Sequence, residues 1–411
     1  MVVHNVLHLI DRAVLREAYR QIRKQSAPGG DQVTATQDAE HLEDTLRDLH
    51  ERLRDHRYVA PPVERVWSEK EGGKKRPRGP PCFEDKMVQR AVVMIVEAIF
   101  AHDCQAFSHG FRKGHSPHQA LHERREQCRT LPSNGRVDAD VSGCVDNLDW
   151  GCLRECIQQR VKEGGILRLI GTWRHAGVLE AGERTPPDKG TPQGGVASPL
   201  WANVFLHQVV DAWVVKDVQP RMPGRCFVTR LADDCLSGCE LEADARRVMA
   251  VLPKRCNRFS LTMHPAKTAL MACKGPPSRK PAAGGPGSCD LLGFPHYWAK
   301  TRRGYWVIKR KTVGKRLRRG MQASWTWCRD HRHMPWQAQY RTRCAKRRGS
   351  SQDDGIRGHV TRREVACEHT ERAWRYWLSR RRHTGHRRWQ KFVASLQKEL
   401  ALPKARIMHH I

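Results

Sequence analysis

Residues 227–238 read FVTRLADDCLSG, a short apolar run, two adjacent aspartates and a second short run. The pattern predicts an antiparallel hairpin over about residues 225–239, with Asp233 and Asp234 at its tip. Two carboxylates held side by side repel one another, and each makes the other harder to ionise. On a turn facing water that cost is small, and paired acids there are commonly just solvated. A bound divalent cation removes the repulsion and gives the pair a purpose. Which case applies depends on what the rest of the chain brings to the hairpin.

The chain has 411 residues, enough for two or three domains and a sizeable core. Its 74 Lys and Arg against 43 Asp and Glu leave a formal charge of +31, which calls for a polyanionic partner. Nucleic acid fits first and a membrane surface second. No apolar run reaches the roughly 18 residues of a membrane span. The opening MVVHNVLHLI lacks the basic flank and small-residue cleavage site of a signal peptide, so a cytoplasmic protein is expected. The 15 cysteines are scattered singly with no C-x-x-C, and the count is odd, which argues against both a zinc site and a fully paired disulfide set. Most are expected to be buried or incidental thiols.

Charge is unevenly placed. Residues 301–411 hold 30 Lys and Arg against 7 Asp and Glu, so most of the net charge lies in the last quarter of the chain. Seven of the 13 tryptophans lie there too, including Trp325, Trp327, Trp374, Trp377 and Trp389. Aromatics can stack on bases or pack between helices, and for any single tryptophan packing is the expectation. The basic density is expected to bind phosphates.

Periodicity predicts helices within 10–60, broken at APGGDQ (27–32), then a strand-like start at residue 63 running into a basic loop to Pro81. Helices are expected over 84–101 and about 117–130, a strand over 136–141, and a helix after Trp150. The loop GTPQGGVASP (190–199) ends in Ser198 and Pro199, a suitable N-cap and first-turn proline. After the hairpin come a helix over about 241–256, a short strand near 261–271, and a flexible connector over 274–288. Basic helices follow beyond Lys300. This order describes an α+β core with a basic helical appendix.

Asp140 ends the strand at 136–141, and folding could bring it to Asp233 and Asp234. Such a cluster suits two Mg2+ ions, which favour hard oxygen ligands and share their shell with phosphates. The ordered blocks RPRGPPCFEDKMVQRAV, SHGFRKGHSPHQAL, VDADVSGCVDNLDW, GTPQGGVASPLWANVFLH, LADD, LTMHPAKT and LLGF resemble the reverse transcriptases encoded by bacterial group II introns, also called maturases. The likeness is collinear over about residues 10–320, with weaker echoes in IRGH (356–359) and LPKARIMHH (402–410).

The resemblance implies a right-hand polymerase: fingers over 1–132, a palm over 133–300, and a basic helical thumb or maturase region over 301–411. It implies an RNA-directed DNA polymerase that extends a DNA primer on an RNA template with dNTPs. The same chain would bind structured intron RNA and assist its splicing. By the same likeness Asp140 and Asp233 ligate both metals and Asp234 completes the acidic site. Lys70 and Arg76 hold the triphosphate, and Gln193, Gly194 and Gly195 line the nucleotide and template. Lys267 matches a palm lysine, and Val145 takes the place that faces the sugar 2′ position. Many relatives carry a nuclease domain after the thumb, and none is expected here.

Three departures stand out. Leu231 replaces the tyrosine that usually opens the metal hairpin. Val145 replaces a phenylalanine that excludes ribonucleotides. The thumb segment VTRREVACEH lacks its usual Tyr, Gly and Asn, and Ala266 replaces an acid before Lys267. Two alternatives follow: an RNA-binding splicing factor with a decayed polymerase, or a reverse transcriptase domesticated to another system such as a defence locus.

Overall fold

The computed structural model describes residues 2–24, 28–33, 35–69, 75–131, 135–142, 144–145, 147–180, 183–185, 194–265, 267–272, 289–291, 294–300, 304, 306–310, 314–354 and 360–380. The chain forms two compact units, Met1–Ala120 with Asn134–Leu270, and Leu121–Ser133 with Met271–Ile411.

In the first unit the strand Gly135–Ser142 pairs antiparallel with Asp234–Cys239, which pairs in turn with Cys226–Leu231. The last two form the expected hairpin, closed by the pair Leu231 and Asp234 around the turn residues Ala232 and Asp233. Asp140 lies directly opposite Asp234. Because side chains alternate across a sheet, Leu231, Asp234 and Asp140 share one face, and Arg230, Cys235 and Ala139 share the other. Thr262–Met263 pairs with the end of the first strand.

Helices Arg12–Gln21, Leu42–Arg54, Phe83–Phe100, Trp150–Gln158, Gly164–His175, Ser198–Leu206 and Glu242–Asn257 contribute to the core of this unit. Phe83–Phe100 buries Met87, Val88, Ala91, Val92 and Val96 completely, so it is sheathed on more than one side. The helix at 198 begins one residue earlier than the sequence suggests. Its N-cap is Ala197, and Ser198 and Pro199 are its first two residues, with no side-chain cap. The Ala197 amide donates instead to Gln89 Oε1 at 3.2 Å, so a tertiary partner replaces the local one. The same helix runs on into two π-turns, His207–Asp211 and Val214–Val218. Arg255 donates to the Val209 and Gln208 carbonyls there, at 3.1 and 3.2 Å.

The basic loop expected after residue 63 is largely a strand pair. Val66–Glu69 and Lys75–Arg78 are antiparallel, with Ser68 opposite Arg76. The expected strand start at residue 63 is present as Val63–Glu64, which joins Val178–Glu180 and Glu183–Thr185, strands the sequence does not suggest, in a small sheet. The 2-residue and 3-residue strands are too short to show an alternation.

The second unit opens with a three-stranded antiparallel sheet, Cys289–Leu291, Phe294–Lys300 and Trp306–Arg310, where helix alone was expected beyond Lys300. The basic helices Gly314–Asp330, Trp336–Asp354 and Val360–Ser379 follow. Cys328, Cys344, Ala373, Trp374 and Leu378 form their core, with Trp325, Trp327 and Trp377 packed against it. Arg343 is buried among them, donating to the Thr370 carbonyl at 2.8 Å and to Cys328 Sγ. Its guanidinium lies 5.9 and 5.5 Å from the Trp327 and Trp374 rings. These four tryptophans are packing residues, as expected. Trp389 and the 274–288 connector lie outside the described residues. Among the described residues no helix is long and apolar enough to cross a membrane.

One buried acid ties the first unit together. Asp85 accepts from Tyr58 Oη at 2.8 Å, Trp173 Nε1 at 2.7 Å and Gln89 Nε2 at 2.9 Å. Burial nonetheless pushes its carboxyl up to about 6. A carboxyl whose folded pKa exceeds its unfolded value of about 4 makes stability fall as pH rises between the two, and adds no slope above the higher one. Asp85→Asn should remove that contribution. Denaturant unfolding of both proteins from pH 4 to pH 7 is expected to show the difference drift by about 2 kcal/mol, most of it below pH 6, and level off toward pH 7.

Candidate active site

The aspartate turn is built from a strained backbone. Ala232 has φ of +56°, a conformation unusual for a residue with a Cβ. The backbone of Gly110 presses directly on it. A Cβ added to Gly110 would lie 2.2 Å from the Ala232 nitrogen, so glycine is the residue that fits. Asp233 is exposed, whereas Asp234 and Asp140 are half-buried on the same face of the sheet. The Val141 amide donates to the Asp233 carbonyl at 3.3 Å, drawing the turn against the end of the Asp140 strand.

A third segment completes this end of the sheet. The His264 amide donates to the Asp140 carbonyl at 2.8 Å, and the chain then turns so that Lys267 and Thr268 donate back to the His264 carbonyl. Lys267 Nζ thereby reaches Asp140 Oδ2 at 2.7 Å. The lysine side chain is 58% exposed and Asp140 is 17% exposed. An ammonium thus already sits where a cation would bind Asp140.

Among the described residues, no three His, Cys, Asp or Glu side chains are gathered closely enough to hold an ion by themselves. The donor set still suits Mg2+. That ion is usually held by one or two carboxylates together with waters and substrate phosphates, not by a closed protein cage. Asp140 and Asp234 occupy facing positions, Asp233 follows at the turn, and Lys267 shows that Asp140 is accessible to a cation.

The other residues singled out from the sequence are placed unequally. Lys70 and Gln193 lie outside the described residues. Arg76 occupies the middle of the strand Lys75–Arg78. Gly194 is exposed with φ of +118°, and a Cβ there would lie 3.5 Å from the Gly79 carbonyl oxygen. Gly195, Gly79 and Pro81 line one small cavity with Asp85 and Gln89. The glycine loop and the end of the basic strand therefore meet. Val145 is half-buried in the turn that follows the Asp140 strand.

Sequence reasoning missed the residues behind the turn. Arg230 is 1% exposed and Asp211 fully buried, and they pair through two bonds of 2.7 and 2.6 Å. Burial by itself would push the Asp211 carboxyl up, but the guanidinium outweighs it and the pKa is lowered. Asn203 Nδ2 donates to the Gly110 carbonyl at 2.5 Å. The signal was present, since Ser108, Gly110 and Asn203 fall inside the motif blocks and Arg230 directly precedes LADD. Nothing in the spacing says that they meet.

One end of the sheet thus carries three carboxylates and a lysine, and elsewhere in the same unit the glycine loop meets the end of the basic strand. Residues 68–296 match the family model for reverse transcriptase (RNA-dependent DNA polymerase), more than half of the chain, and the chain belongs to that family. Its sequence is related to group II intron-encoded protein LtrA of Lactococcus lactis subsp. cremoris, with 36% identity over 175 residues, 42% of this chain and 29% of that protein. It is also related to protein YkfC of Escherichia coli K12, with 32% identity over 184 residues, 44% of this chain and 48% of that one. The chain thus spans less than half the length of either relative. Among solved structures, telomerase from Candida albicans in complex with a fragment of telomeric RNA aligns with a TM-score of 0.46 and 12% identity. That alignment covers 88% of this chain and 66% of the other.

The contact between Gly110 and Ala232 can be tested directly. Gly110→Ala should push the turn away and destabilise the first unit by roughly 1–3 kcal/mol, the usual cost of overpacking. Ala232→Gly, which relieves the positive φ, should be neutral or slightly stabilising. Thermal unfolding of both variants beside wild type is the measurement.

Proposed function

We propose that this chain is an RNA-directed DNA polymerase of the group II intron type, which also binds structured intron RNA and assists its splicing. The observation that carries the reading is the placement of Asp140 opposite Asp234, with Asp233 on the adjoining turn, in a chain of the reverse transcriptase family. Fingers over 1–132, palm over 133–300 and thumb over 301–411 are the domains that go with it.

In this reading Asp140, Asp233 and Asp234 hold two Mg2+ ions, which when bound lower the pKa of the primer hydroxyl and offset the charge of the phosphates. The chain's own part is positioning. The three carboxylates would hold the ions, and Lys267 Nζ, 2.7 Å from Asp140 Oδ2, would neutralise part of their charge. Arg76 and Lys70 grip triphosphate oxygens, the first with a fork and the second as a point charge. Gly194 and Gly195, with Gln193, let backbone approach the nucleotide and template. The basic helices of the second unit engage RNA phosphates, so affinity should fall steeply with salt.

A second reading, a splicing factor built on an impaired polymerase, is favoured by one observation. Leu231, not an aromatic residue, closes the hairpin against Asp234. Extension of a DNA primer on an RNA template, with dNTPs and Mg2+ at low salt, separates the two. Wild type is expected to extend and the Asp233→Ala/Asp234→Ala double variant to lose at least about a thousandfold in rate. No extension by wild type, together with tight salt-sensitive RNA binding, would favour the second reading.

Val145 offers a finer test. Without a large ring at that position, wild type is expected to accept ribonucleotides more readily than Val145→Phe. Competing dNTP and rNTP incorporation measures the ratio, and equal selectivity in the two proteins would sink the idea.

A further inference from the structure

We infer that Arg230, paired with Asp211, is a positioning residue for the aspartate turn: its guanidinium holds the Ala232 carbonyl and thereby sets where Asp233 and Asp234 point. The inference rests on the polymerase reading for its catalytic meaning but not for its geometry.

A guanidinium has five N–H donors, and here each has an acceptor. Nε donates to Asp211 Oδ1 at 2.7 Å. One terminal nitrogen donates to Asp211 Oδ2 and Ser108 Oγ, both at 2.6 Å. The other donates to Asn203 Oδ1 at 3.3 Å and to the Ala232 carbonyl at 3.0 Å. Four of these acceptors lie on other segments of the first unit, and the fifth belongs to the turn. The guanidinium therefore spans from the scaffold to the one residue of the hairpin with a left-handed backbone.

The backbone makes the same connection. The His109 amide donates to the Arg230 carbonyl and the Arg230 amide to the Phe107 carbonyl, both at 2.9 Å. Gly110, next along, is the residue pressed on Ala232. Asn203 holds the Gly110 carbonyl with one end of its amide and Arg230 with the other. The turn is thus gripped at two points, while Asp234 faces the opposite side of the sheet.

Energetics argue that the pair serves geometry. A buried ion pair rarely stabilises a fold more than apolar residues of the same size would. What it supplies is a fixed arrangement of donors. Its charge is also internally cancelled: an unpaired arginine three residues from Asp233 would compete with a metal for the carboxylates, and Asp211 removes that pull.

Three variants of the full chain test the role. Arg230→Lys keeps the charge but offers three donors from one point. Asp211→Asn/Arg230→Gln replaces the pair by neutral residues of similar volume, so no unpaired charge is buried if the lysine variant fails to fold. Ser108→Ala removes one acceptor and leaves the pair intact. Amide hydrogen exchange over residues 226–239 is read beside exchange in the helix Phe83–Phe100. Primer extension gives kcat, the dNTP KM and the Mg2+ requirement.

Exchange at the turn is expected to speed up by roughly tenfold or more in the first two variants and less in the third, with Phe83–Phe100 unchanged. In the folded variants kcat should fall by up to roughly a hundredfold while the dNTP KM stays close to wild type, and the Mg2+ requirement should rise. A turn as protected as in wild type, with normal kcat, would overturn the inference. So would faster exchange spread evenly over the unit, which is the mark of a merely stabilising pair. If wild type itself does not extend primers, the polymerase reading fails, and the exchange data still decide whether Arg230 holds the turn.

Discussion

Three carboxylates at one end of a small sheet repel each other, and any fold that carries them must hold their backbones in place. Here the holding is done from the far face. Arg230 and Asp211 form a buried ion pair directly behind the aspartate turn, and four segments converge on it: 107–110, the helix at 198–206, the π-turn at 207–211 and the hairpin itself. Sheet alternation makes this possible. Arg230 and Asp234 occupy adjacent pairs in the ladder, so one side chain is buried while the other faces the site. A register slip of one residue would exchange them, placing a carboxylate in the core and a guanidinium at the site.

The π-turn has a part in this arrangement. The helix from Ser198 carries Asn203 on one turn and Asp211 about two turns further on, and the widened turns at 207–211 accompany a fully buried Asp211. Arg255 takes up carbonyls in that stretch, so the distortion leaves them satisfied. Asp85 plays the corresponding role on the glycine-loop side. It joins Tyr58, Trp173 and Gln89, and Gln89 fixes the Ala197 amide at the root of the glycine loop. Each hub is a buried polar network with its acceptors occupied, which is the condition under which such networks specify one structure.

The second unit shows how one composition serves two ends. Trp325, Trp327, Trp374 and Trp377 contribute to a compact core in which Arg343 lies near the Trp327 and Trp374 rings, while most of the other described basic residues remain on the helix surfaces. A charge surplus of this size calls for a polyanion to balance it.

Much of this was legible in the chain. The hairpin with Asp233 and Asp234 at its tip, the strand that carries Asp140, the apolar helix at 83–100 and the basic helices within 314–379 all follow from local patterns, because periodicity and turn chemistry act over a few residues. The paired strands within the basic loop and the sheet at 289–310 did not follow, since short or charged strands carry little periodic signal. The N-cap at residue 197 was misplaced because its partner, Gln89, lies 108 residues away. The contacts that organise the site are of the same kind. Arg230 meets Asp211 at a separation of 19 residues and Ser108 at 122, and Lys267 meets Asp140 at 127. Sequence by itself determined which carboxylates and cations are present and on which local elements they ride. Tertiary structure alone decided that an arginine in the aspartate hairpin would be buried and neutralised, because its five acceptors become neighbours only when distant segments pack.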